Sequence, residues 1–134
     1  MTGAQWAAHP GGQDVTYTVH ITDEDDEIVE GIDDFEVTTE QYYMLVDPAN
    51  KVLATTTFSG EHDAWLDGAV MPVIWKKRFG RGRVFVNALG HSTDVFENSE
   101  PAFETVKRGI RWASRTSGAS DDLSNLVRSV YPRS

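Results

Sequence analysis

His91 is the first residue whose type and place point to chemistry. It follows Gly90 directly after the apolar run Val84 to Leu89, and Ser92-Thr93-Asp94 has the make-up of a helix start. Ligands of open α/β sheets bind beyond the carboxyl ends of strands, where a residue so placed projects. An imidazole there can move protons near neutral pH or donate to a hydroxyl. The plainer alternative is a histidine that caps a helix. Glu40-Gln41-Tyr42-Tyr43 is the second candidate. A carboxylate, an amide and two phenols can bind hydroxyls and present flat faces to sugar C–H bonds. Against this, either Tyr can be core and Glu40 a solvated charge. His9, before Pro10 in a Gly-rich stretch, is the third. His20 and His62 carry no supporting context.

Trp75, Arg78, Arg81 and Arg83 form an aromatic and basic cluster. Arg suits planar anions, but pairing with the acidic excess is the better account of these residues. Several chemistries are excluded by what is missing. There is no Gly-x-Ser-x-Gly elbow, Walker loop, dinucleotide fingerprint or His-Glu-x-x-His helix. With no cysteine, thiolate metal sites and a thiol nucleophile are excluded too. A metal on His9, Glu40 and His91 has no spacing rule behind it, so no metal and no cofactor is assigned. The acidic turn Asp23 to Glu27 is a poor EF-hand, because Ile28 stands where the loop needs Gly.

The elements that must position these residues read as strands first and helices after. Met1 to Gly12 is loop-like. Val15 to Ile21 alternates, with Val15, Tyr17, Val19 and Ile21 on one face. Phe35 to Thr38, Gln41 to Val46 and Val52 to Phe58 are strand-like. Pro72 to Phe79 and Arg83 to Leu89 make a hairpin across Gly80-Arg81-Gly82, and the second strand is apolar enough to be central. A helix follows, with Phe103, Val106, Ile110 and Ala113 as its apolar stripe, Ser99 as N-cap and Pro101 in the first turn. Thr116 to Ser120 is a linker, and Asp121 to Tyr131 has helical spacing. That order implies an α+β fold with a largely antiparallel or mixed sheet.

The 134 residues are one domain's worth, with 40% hydrophobic residues to form a core. The net charge of −9 disfavours nucleic acid and basic membrane-surface binding. No apolar run is long enough to span a bilayer. The N-terminus lacks a signal-peptide core, so the expected address is cytoplasmic.

Four strings, in order from His9 to Ser114, resemble the ThuA-like (trehalose utilisation) family. They are His9-Pro10 before a strand, Phe35 to Tyr43 with Glu40-Gln41-Tyr42 inside, Met71 to His91 with its Pro72, Trp75, Arg78 and Phe79-Gly80-Arg81-Gly82-Arg83-Val84-Phe85, and Gly109-Ile110-Arg111-Trp112-Ala113. The resemblance implies a flavodoxin-like, class I glutamine amidotransferase-like three-layer α/β sandwich. It places a ThuA-like domain over residues 1–115, with a linker and short helix over 116–134. It also implies that the domain's N-terminal strands are missing, which invites a homo-oligomer or a partner chain supplying that half. The implied function is use of trehalose or a related keto-disaccharide. His91 and Glu40 would be catalytic, and His9, Tyr42, Tyr43 and Trp75 would bind the saccharide. The alternative is a non-catalytic interaction module with a vestigial sugar site. A glutaminase is not implied, since its thiol is absent. One departure stands out: the family's Asp-His-Pro-Ile turn is here Asp25-Asp26-Glu27-Ile28.

Overall fold

The computed structural model describes residues 1–115. The linker and helix expected over 116–134 lie outside the described residues. Seven strands precede two helices: β1 (Ala4–Ala8), β2 (Val15–Ile21), β3 (Phe35–Thr39), β4 (Tyr43–Val46), β5 (Lys51–Thr57), β6 (Val70–Phe79), β7 (Gly82–Asn87), α1 (Asp94–Asn98) and α2 (Glu100–Ser114). The fold is α+β. One sheet has five strands in the order β3-β2-β5-β6-β7, and β1 and β4 pair as a separate ribbon. Every pairing between described strands is antiparallel. Of the two sheet types expected, these strands take the antiparallel one.

Local chemistry explains most of the elements. Tyr17 and Val19 of β2 point to the core as the alternation requires. Gly80 takes φ +58° at the first position of the two-residue turn joining β6 to β7, a geometry that favours Gly there. Ser99 caps α2, accepting from the Ala102 amide at 3.3 Å, with Pro101 in the first turn. Ile28 and Val29 are fully buried in the core with Leu53, Ile74 and Leu89.

Three expectations are corrected. The N-terminal stretch is not all loop, because Ala4–Ala8 pairs with β4. Its residues lack β-branching, so local preference is silent and only the cross-strand partner makes the strand. Among the described strands, the apolar β7 is an edge of the sheet and not its centre. Its apolar residues are accounted for by α2, which packs on it: a Cβ at Gly109 would collide with the Phe85 ring. The buried stripe of α2 is also rotated from the expected one. Ala102, Thr105, Val106, Gly109 and Trp112 face the core, while Phe103 is 45% exposed. The inward row contains Thr and Gly, which a count of apolar residues passes over. Thr105 holds its place by bonding, since its hydroxyl donates to the Ala102 carbonyl at 2.7 Å and lies 3.1 Å from the Asn87 amide.

Candidate functional site

β3, β5 and β7 end, and β2 and β6 begin, at the same end of the sheet, as the pairs Val15 with Thr39, Thr57 with Val70 and Ile74 with Asn87 require. Glu40 is the first residue after β3, and His91 comes shortly after β7. His9 follows β1 in the turn that leads into β2. Three separate connections thus converge on one place.

Each is fixed locally. The Tyr17 hydroxyl donates to the Glu40 backbone carbonyl at 3.1 Å, so a core residue of β2 holds the Glu40 main chain. Burial, and then the charge of Tyr42, push the Tyr17 phenol well above its ordinary range, which keeps it a donor. Asn87 turns the chain after β7: its side-chain oxygen accepts the Leu89 amide at 3.0 Å, and its nitrogen donates to Thr105. Gly90 follows, where a Cβ would stand 2.8 Å from the Phe96 ring and would have to displace it. The His9 turn is closed by the Gly12 amide on the His9 carbonyl at 3.0 Å.

Glu40 is the hub. It is only 7% exposed, and both its oxygens face histidines. His91 Nδ1 lies 3.2 Å from Oε2, and His9 Nδ1 lies 3.5 Å from Oε1. The His9 nitrogen is buried and makes no hydrogen bond among the described residues. Tyr42 bonds the same carboxylate. Burial, that hydrogen bond and the Glu40 charge all raise the Tyr42 pKa, so the phenol stays neutral and donating. A buried carboxylate facing Nδ1 favours the tautomer with the proton on that nitrogen. Nε2 of each ring is then left to accept or deliver a proton. The arrangement is therefore suited to hydroxyl recognition and proton transfer. No group of three or more His, Asp or Glu among the described residues is arranged to hold a metal ion.

His91, Glu40, His9 and Tyr42, all expected from the sequence, are brought together. Tyr43, on β4 opposite Ala8, instead packs its ring 5.4 Å from that of Trp65 and 6.5 Å from that of Phe58. Trp75 is not brought there. It has no exposed surface, and its indole N–H donates to the Thr2 carbonyl at 2.8 Å. With no accessible face it cannot stack on a ligand, so its place among the binding residues is corrected. The Arg residues near it gather elsewhere: Arg83 and Arg78 lie 5.4 and 5.9 Å from the Trp112 ring. Sequence reasoning misses Tyr17 as a supporting residue. Its alternation marks it as core, but nothing in the sequence joins its hydroxyl to Glu40.

Two comparisons place the chain among known proteins, and a third finds nothing. The family model for ThuA, described as trehalose utilisation, matches residues 1–113. A solved structure assigned as ThuA-like, from Parabacteroides merdae, superposes with a TM-score of 0.61 at 22% identity. The match covers 83% of this chain and 40% of that one, so the chain spans less than half of its solved neighbour. No curated protein matches. That neighbour supports the fold, and the family match extends through β1 to all but the last residue of α2; on that ground the chain belongs to the ThuA family.

Proposed function

We propose that this chain binds a saccharide of the trehalose or keto-disaccharide class at the His9–Glu40–His91 cluster and moves protons on it. The observation that carries the reading is the buried Glu40 carboxylate between two imidazole Nδ1 atoms. Glu40 acts through the histidines as a positioning residue, and His91 Nε2 is the proton-transferring atom. Tyr42 holds the carboxylate, and Tyr43 contacts the sugar. Family membership supplies the substrate class.

The test is titration calorimetry with trehalose and its keto derivative. His91→Ala should weaken binding at least about tenfold, the effect of losing roughly 1.4 kcal/mol. Because His91→Ala also removes a partner of the buried Glu40 carboxylate, its thermal midpoint should fall, and affinity is compared at a temperature where both proteins are folded. Equal affinity in wild type and variant would remove His91 from the site.

The same reading extends to the family's whole domain, for which a flavodoxin-like three-layer sandwich in the cytoplasm is proposed. A homo-oligomer, or a partner chain supplying further elements, belongs to this reading. The half-exposed Phe103 on the outer side of α2 and the edge position of β7 support it. Light scattering should give a mass above that of one 14.9 kDa chain. A monomer at all concentrations would count against the oligomer. Among the described residues, no helix is long and apolar enough to cross a membrane.

A further inference from the structure

Beyond the cluster itself, we infer that Trp6 is the aromatic platform on which a hydroxylated ring stacks at this site. This deepens the saccharide reading and rests on it.

Trp6 sits in the middle of β1, in the segment Ala4-Gln5-Trp6-Ala7-Ala8. Its cross-strand partner is Met44, which is buried, while Trp6 itself is 54% exposed. Its strand neighbours are alanines and a glutamine, too small or too polar to cover an indole. A single exposed aromatic is unremarkable on a protein surface. What separates Trp6 from the other exposed aromatics is where it stands. Its ring centroid lies 5.6 Å from that of His9, with 36° between the planes. His9 in turn points Nδ1 at the Glu40 carboxylate. A half-exposed indole therefore borders the His9 imidazole, which in turn faces the buried anion.

The chemistry of the pieces is complementary. Glu40, His91, His9 and Tyr42 address hydroxyl groups along the edge of a ring. Trp6 offers a flat, electron-rich face to the polarised C–H bonds of the ring's other surface, at small cost in side-chain freedom. Trp75 cannot supply that face, because it is enclosed. Trp65 is more exposed than Trp6, but its ring meets Tyr43 edge-on, whereas the Trp6 ring meets His9, whose Nδ1 faces Glu40 directly.

The experiment measures trehalose and keto-trehalose affinity in wild type, Trp6→Ala, Trp6→Tyr and His91→Ala, with tryptophan emission followed in wild type and Trp6→Phe. Trp6→Ala should weaken binding about tenfold, and Trp6→Tyr should recover part of the loss. Sugar should shift the emission of wild type, and Trp6→Phe should lose that shift. Because the indole is half exposed, the thermal midpoints of wild type and the Trp6 variants should agree within a few degrees, so lost binding is not lost fold. If Trp6→Ala binds as wild type does while His91→Ala does not, the platform is overturned and the saccharide site stands. If wild type binds neither sugar, the saccharide reading fails and the platform falls with it.

Discussion

Trp75→Ala is expected to destabilise the fold by about 4 kcal/mol, read as a lowered urea midpoint at unchanged slope. Trp75 heads the fully buried side chains, and β5 and β7 flank it on either side through Val52 and Val86. Truncation opens a cavity the size of an indole in the middle of the sheet. It also orphans the Thr2 carbonyl, which now accepts the indole N–H. Trp75→Phe keeps most of the packing and loses the hydrogen bond, so it should cost clearly less. In the folded fraction, sugar affinity should be the same for both variants as for wild type. A Trp75→Ala protein as stable as wild type, but blind to sugar, would return Trp75 to the binding site.

Asp26→Asn is expected to cost about 3 kcal/mol near neutral pH, the usual scale for removing one partner of a buried ion pair. The reason is the register of the sheet. Lys51 of β5 and Lys76 of β6 are directly opposed, which sets two like charges side by side. Asp26 sits between them. Its Oδ2 is 2.6 Å from Lys76 Nζ and 3.1 Å from Lys51 Nζ, and its Oδ1 accepts the Ile28 amide at 3.0 Å. Lys76 is mostly buried and also lies 4.8 Å over the Trp112 ring, so it cannot simply turn to water.

The pH dependence follows in sign. Burial pushes the Asp26 carboxyl up, but the bonds from Lys76, the Ile28 amide and Lys51, with the Lys76 charge, outweigh it and hold the pKa below its ordinary 3.8. A carboxylate depressed in the folded state stabilises the fold above its unfolded pKa. That contribution is lost as pH falls through the folded value. The gap between wild type and Asp26→Asn should therefore be full at neutral pH and close below the ordinary aspartate range. Denaturant melts at a series of pH values read it directly. A gap that stays constant down to the most acid point would show that charge is not what Asp26 contributes.

Much of the site is legible in the sequence. Residue type, and position after a strand or in a turn, single out Glu40, Tyr42, His9 and His91, and the four converge. Strand β2, the β6–β7 hairpin and the Ser99 cap are legible for the same reason: alternation, turn glycine and cap chemistry act between residues near in sequence. What local pattern misses needs distant partners. Asp26 lies in an acidic run that reads as a solvated turn, yet it is buried by two lysines from strands far along the chain. Trp75 and Trp6 exchange environments. The first lies in a strand with basic neighbours and reads as available, but it is enclosed. The second lies in the stretch expected as loop, yet it stands half exposed on a strand beside His9.

Residue type and short-range pattern were enough for strands preceding helices from β2 onward, a chain without a thiol, the family and the polar residues of the cluster. Those are properties of residue type and short-range spacing, and they survive whatever the chain packs against. The tertiary structure alone decided that β7 is an edge, that α2 turns its Ala102–Trp112 row inward, and that Glu40 is shared between two imidazoles. It also decided which tryptophan is enclosed and which is open. Burial and long-range pairing are set by what lies across the sheet and on its face, and a local pattern carries no record of that partner.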